Sequence, residues 1–208
     1  MRWWGLLGFS LLLFLGCHAR YTPASGAAHP KPFVIGEMQP FTVSDTPTYT
    51  ADGRLIFPKN YREWVYLSTG MDMSYSEASR PPSQSIFDNV FVNPAAYRGF
   101  QVAGTWPDKT VFMLEVRSSA SKGSINQRGH YQSEEILGME AHVKDSKFPG
   151  QWAFFHFDAA GNGTLIPRSA DCYTCHEQHG AVDTTFVQFY PTLIAIAQQH
   201  GTYHVANP

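Results

Sequence analysis

The sequence predicts an α+β fold: a mainly antiparallel β-sheet with a few short helices, one of them near the C-terminus and carrying two cysteines. Three observations carry this. Apolar and polar residues alternate at period two in several stretches. The 17 Gly, 14 Pro and 14% aromatic residues favour a turn-rich β or mixed domain. No stretch sustains the heptad pattern of a helix bundle. At 208 residues with 43% hydrophobic content, the chain suffices for one domain with a real core. Its 15 Lys+Arg nearly balance its 17 Asp+Glu, which argues against nucleic acid or an anionic surface as partner and in favour of something small or neutral.

From the N-terminus, Met1-Arg2 leads into an apolar run from Trp3 to Leu15, the length of a secretory signal and short for a membrane span. It ends Leu13-Phe14-Leu15-Gly16-Cys17, which is similar to a bacterial lipobox. Residues 1–17 are therefore expected to be a signal peptide, with Cys17 lipidated and the protein anchored to a bacterial membrane on the periplasmic side. An ordinary signal cleaved near Ala19 is the alternative and would give a soluble periplasmic protein. Bacterial acyl chains, at ~0.8 kcal/mol per buried CH₂, would hold such an anchor firmly. Residues 18–32, rich in Pro, Ala and Gly, read as a flexible tether, and the folded domain is expected over 33–205.

Within the domain, Asn93 is placed to cap a turn starting at Pro94. Thr110 to Val116 and Gln151 to Phe157 read as strands, the second followed by a hairpin turn at Asp158 to Gly163. Met139, Ala141 and Val143 give a third apolar face, with Glu140, His142 and Lys144 opposite. Asp171 is placed to cap a helix carrying the cysteines, and Tyr190 to Gln199 has helical spacing that stops before Gly201.

Cys172-Tyr173-Thr174-Cys175-His176 is a C-x-x-C-H sequence. On a helix the cysteines fall at i and i+3, so both sulfurs share one face and can bond the vinyl groups of one haem, while His176 can ligate its iron. Zinc would want a second ligand pair, and the domain has no further cysteine. A thioredoxin-type CxxC belongs early, after the first strand of a βαβ unit, whereas this one lies near the C-terminus. The expected cofactor is one covalent haem c. Electron-transfer cytochromes usually supply a methionine downstream of the motif, but Met71, Met73 and Met139 all precede it. Those three, with His156, His179 and His200, are the side chains that could still supply a sixth ligand. The expectation is a five-coordinate, high-spin iron with an open face.

A late C-x-x-C-H also occurs in the helical cytochromes c′, but the strand alternation upstream does not suit a bundle. The chain resembles instead the cytochrome P-460 family, which includes the β-sheet cytochromes c′-β. The resemblance rests on Phe57-Pro58-Lys59-Asn60-Tyr61-Arg62-Glu63-Trp64, Val92-Asn93-Pro94-Ala95-Ala96-Tyr97, Pro107-Asp108-Lys109-Thr110-Val111, Gly138-Met139-Glu140-Ala141 through Val143 to Lys147, Trp152-Ala153-Phe154-Phe155, the haem motif and Phe189-Tyr190-Pro191. Together they span residues 55 to 195.

The resemblance implies a homodimeric, mostly antiparallel β fold holding one high-spin haem c. In P-460 members a lysine is cross-linked to the porphyrin and a pocket carboxylate helps to oxidise hydroxylamine; the c′-β members lack the cross-link and bind nitric oxide in an apolar pocket. The family's lysine directly precedes a strand glutamate, and here the residue before Glu115 is Leu114. Lys109 is no easy substitute, since five residues along a strand reverse the face. Glu140 aligns with the pocket glutamate and could accept a proton from hydroxylamine or its oxidised product. The reading that follows is a haem protein for nitric oxide or related small nitrogen oxides, with hydroxylamine oxidation at Glu140 and electron transfer, with a partner cytochrome, as the alternatives. Leu114, Phe87, Phe91 and Phe112 are candidates for an apolar wall over the iron. Gln188 is expected on the proximal side near His176, and Tyr173, Thr174 and Glu177 at the haem edge or in solvent.

Overall fold

The computed structural model describes residues 45–74 and 84–204. The expected signal peptide, Cys17 and the tether lie outside these residues. The described chain runs β1 (Leu55–Ile56), β2 (Val65–Met71), β3 (Ile86–Val92), α1 (Pro94–Ala103), β4 (Val111–Ala120), β5 (Tyr131–Lys144), β6 (Trp152–Phe157), β7 (Asn162–Leu165), α2 (Asp171–His179) and α3 (Ile194–Gln199). The strands form one antiparallel sheet in the order β1-β7-β6-β5-β4-β3-β2. The mainly antiparallel sheet with a few short helices is therefore the fold, and the helix bearing the cysteines follows the last strand.

The strands are where β-branched and aromatic residues concentrate, and the punctuation between them is chemical. At the β6–β7 turn the Asp158 carboxylate accepts the amides of Ala160 and Asn162, both at 2.9 Å, and Gly161 takes φ +81°. Gly163, on β7, lies against β1 so closely that a Cβ there would meet the Leu55 carbonyl oxygen at 2.6 Å. Helix α1 starts on Pro94, whose missing N–H costs nothing at that position, and stops at Gly104 in the left-handed conformation.

Three expected caps and ends shift. The Asn93 side chain does not cap α1; it donates to the carbonyls of Asp45 and Lys109 and accepts the Val111 amide, tying the start of β4 to the preceding loop. Asp171 is the first residue of α2 rather than its cap, which is Ala170. The C-terminal helix is shorter than its spacing suggests, because 3₁₀ and turn structure occupies the chain as far as Leu193.

The sheet has two buried faces. On one, Phe91, Val111, Met113, Ala141, Val143, Ala153 and Phe155 pack with Leu55, Tyr61 and Trp64. On the other, Val92, Phe112 and Trp152 pack with Phe100 of α1, Trp106, Val182, Leu193 and Ala197 of α3. Each fully buried Val, Leu, Phe or Met among them contributes about 1.5–3 kcal/mol. A strand buried on both faces cannot show clean polar alternation, and β4 reads Val-Phe-Met-Leu for that reason. On the first face Glu115 is fully buried. Arg117 Nε and Arg62 Nη2 lie at 2.6 Å, Tyr61 Oη donates at 2.5 Å and Asn89 Nδ2 at 3.2 Å. Burial pushes this carboxyl up, but Arg117, Tyr61 and Arg62 outweigh it and hold it below its ordinary value.

Candidate functional site

On the second face, the part of the sheet not covered by α1 and α3 opens into a cleft of about 260 Å³. Strand register explains its floor. Ser68, Val90, Leu114, Glu140 and His156 form one row across β2 to β6. Val92, Phe112, His142 and Phe154 form the next, and Gly70, Asp88, Val116 and Gly138 the row beyond on the other side. His176 of α2 enters from the side of the His142 and Phe154 row, and Phe186, Phe189 and Tyr190 complete the wall.

His176 is held on three sides by rings: Phe186 at 4.2 Å between centroids, Phe154 at 4.7 Å and His142 at 4.9 Å. Its Nδ1 lies 2.8 Å from the Thr184 carbonyl. Burial pulls this imidazole below the ordinary histidine value, and the Thr184 carbonyl works against that. A neutral ring must then carry its proton on Nδ1, where the acceptor is, leaving the Nε2 lone pair for a metal. Cys172 and Cys175 are both free and half-buried on the same helix. Burial first, then the charges of Glu140 and Asp171, push the Cys172 thiol up against the pull of backbone N–H donors. His142 of β5, 4.9 Å from the His176 ring, sets the strand beside the motif.

The donor set suits a haem. There is an imidazole with one nitrogen bonded to a carbonyl and the other left for a metal, a pair of thiols one helical turn apart, and an apolar floor of Val90, Phe112, Leu114 and Phe154.

Leu114 and Phe112 line the cleft, and Glu140 reaches it with its side chain 46% exposed. Glu140, His142 and Lys144 do not share one environment: His142 is buried, stacked on Phe154 at 4.0 Å with Nε2 3.3 Å from Thr184 Oγ1, and held well below the ordinary histidine value by burial first and then by the neighbouring His176 imidazole. Phe91 and Phe87 do not join the wall. Their odd positions put them on the opposite face, where Phe91 packs with Tyr61 at 5.7 Å. Lys109 is ion-paired with Asp145, away from the cleft.

Of the methionines, Met139 packs into the opposite core and Met71 is exposed, while Met73 lines the cleft over Gly70. His156 is exposed near Glu140, and His200 packs on Gly104. Gln188 caps the end of α2 through the His179 carbonyl and the Ala181 amide; the carbonyl on His176 is that of Thr184. Tyr173 is not at the surface. Its hydroxyl donates to the Ile166 carbonyl at 3.0 Å and accepts the Phe154 amide at 3.1 Å, stapling α2 to the sheet, and Glu177 pairs with Arg168. Sequence reasoning missed Asp88, His142 and Thr184. The first two are legible only once the period-two faces of β3 and β5 are assigned to the cleft side.

The family model described as Cytochrome P460 matches residues 58–187. A search of curated proteins finds no match.

Proposed function

The chain belongs to the cytochrome P460 family, and on that premise we propose that it is a periplasm-facing mono-haem c-type cytochrome whose five-coordinate, high-spin haem binds nitric oxide or related small nitrogen oxides, in detoxification or sensing. Membership implies a haem cofactor. Covalent attachment through Cys172 and Cys175, ligation by His176, anchoring through Cys17 and a homodimeric state belong to the same reading. When bound, the haem supplies an iron with one position free for a small ligand.

The protein's own residues do the rest. Thr184 fixes the His176 tautomer, and Phe154 and Phe186 fix its ring. Val90, Phe112 and Leu114 keep the floor dry, which favours uncharged ligands over water and anions. The observation that carries the reading is Leu114 in the wall of the cleft, where the family's cross-linking residue would be a lysine; no lysine lines the cleft among the described residues. The test is the optical spectrum of the purified ferrous protein before and after NO, with a denaturing mass spectrum of chain plus haem. A high-spin spectrum that shifts with NO supports the proposal, and a ferrous protein that ignores NO ends it. A low-spin spectrum would point to Met73 and electron transfer.

A second reading, hydroxylamine oxidation, is favoured by Glu140 in the same cleft as His176, where its carboxylate could take protons from the substrate. It requires steady-state turnover of hydroxylamine with an artificial acceptor that is lost in Glu140→Ala.

A further inference from the structure

Asp88 is the residue of the cleft to which no motif points. In the sheet it pairs with Gly70 on one side and Val116 on the other, and Val116 pairs with Gly138. Glu140 stands one row away, paired with Leu114. The two carboxylates therefore occupy the same face of the sheet, from β3 and from β5, with only the apolar side chains of β4 between them, and both line the cleft that receives His176. At the β5 end Gly138 leaves room, since a Cβ added there would meet only Val116, at 3.9 Å, while at the β2 end Met73 covers Gly70.

The charges around Asp88 are mostly of its own sign. Just after β2, Asp72 is near, accepting the Ile86 amide at 2.8 Å. From β5 comes Glu140, and beyond it His142, kept neutral by burial. From β6, His156 Nδ1 lies 3.9 Å from Glu140, both side chains about half exposed. From α2, the Cys172 thiol feels the charge of Glu140. Strand β4 gives this face Leu114 and Val116, without charge, because Arg117 points to the opposite face and is bound with Arg62 to Glu115. No arginine or lysine lines the cleft among the described residues.

We propose that Asp88 and Glu140 form a charge filter across the cleft, which repels anions such as azide and nitrite and admits small uncharged nitrogen ligands such as NO and hydroxylamine. This rests on the reading that the cleft holds the haem, and it assigns the ligand class that the cleft selects. Burial, then the charges of Asp72 and Glu140, push the Asp88 carboxyl up. The filter accordingly weakens as pH falls and Asp88 takes a proton, and anions bind more tightly in acid.

The test is azide affinity of the ferric, haem-loaded protein, read optically across pH, for the wild type, Asp88→Asn and Glu140→Gln. The wild type should bind azide more weakly as pH rises above the ordinary aspartate range. In Asp88→Asn affinity at neutral pH should rise about tenfold, the effect of one charge in a partly buried cleft, and the step should flatten. Glu140→Gln should also tighten azide and should move the step to lower pH, because Asp88 loses a like-charged neighbour. If Asp88→Asn fails to load haem, the Glu140→Gln shift and the wild-type step decide the matter.

Azide profiles that superimpose in all three proteins overturn the filter. NO binding by the wild type is recorded on the same sample. Its absence overturns the haem–NO reading itself, whereas intact NO binding with superimposed azide profiles removes the filter and leaves that reading standing.

Discussion

Replacing Glu115 by glutamine keeps the shape of the side chain and removes one buried charge. In the wild type this carboxylate, with no exposed surface, holds Arg117 at 2.6 Å, Arg62 at 2.6 Å and the Tyr61 hydroxyl at 2.5 Å. Arg117 is 14% exposed and Arg62 49%, so the two losses differ. Leaving a buried charge without its partner costs about 3–5 kcal/mol, and an exposed pair is worth about 0–1 kcal/mol. Because Arg117 keeps the carbonyls of Ser133 and Glu134, the lower end applies, about 3 kcal/mol in all. For a chain of this size that is a fall in Tm of roughly 6–12 °C.

The assay is thermal unfolding of the haem-loaded protein by circular dichroism, with the pH varied. The Glu115 carboxyl is held below its ordinary value in the folded state, so its stabilisation is fully present above the unfolded value, near 4.5, and is lost as pH falls through the folded one. The gap between wild type and Glu115→Gln should therefore close in acid. A variant that melts within about 1 °C of wild type at neutral pH, or a gap that is the same at every pH, would refute the account of Glu115 as the anchor joining β4 to the Tyr61–Arg62 turn.

Two further outcomes test the supports of the site. Tyr173→Phe leaves the Phe154 amide without its partner and removes the bond to Ile166; a loss of about 1–3 kcal/mol is expected. It is measured as a fall in the urea midpoint at unchanged slope, and an unshifted midpoint would mean α2 is held without this staple. Gly163→Ala would set a Cβ 2.6 Å from the Leu55 carbonyl and 2.8 Å from the Phe157 ring. The expected cost is about 1–3 kcal/mol, with faster hydrogen exchange at Leu55 and Ile56; unchanged exchange there would show that β1 tolerates the displacement.

How far the sequence discloses this molecule depends on whether the information is local. C-x-x-C-H is five adjacent residues with a fixed chemical meaning, and helix α2 carries it as its spacing requires. The strand at Gln151 to Phe157 and its turn are read correctly, because alternation and the Asp-to-Gly punctuation lie within a dozen residues. What fails is everything that depends on which face is which. Phe87 and Phe91 are as apolar as Phe112, but they sit at odd positions of β3 and look away from the cleft. His142 looks like one of three polar residues on a solvated face, yet that face is roofed by Phe154 and Trp152 from β6 and by His176 from α2. Nothing near residue 142 in the chain announces those neighbours.

The same logic explains why the motif helix comes to lie beside the row of His142 and Phe154. Helix α2 has little apolar surface of its own, its one buried residue being Tyr173, so it cannot find its place by burying a stripe. It is positioned by the Tyr173 hydroxyl on β6 and the following loop, by the Arg168–Glu177 pair, and by the chain after it, where Thr184 grips His176 while Thr185 accepts the Trp106 indole. Trp106 lies between α1 and β4 and packs on Phe112, at 4.7 Å, in the same face as Leu114. One continuous set of contacts thus runs from the sheet floor through Trp106 and Thr185 to the His176 ring. The cleft is built around His176 because the segment after α2 is bolted to the sheet, and a substitution at Thr185 or Trp106 should disturb the His176 imidazole before it disturbs the cysteines.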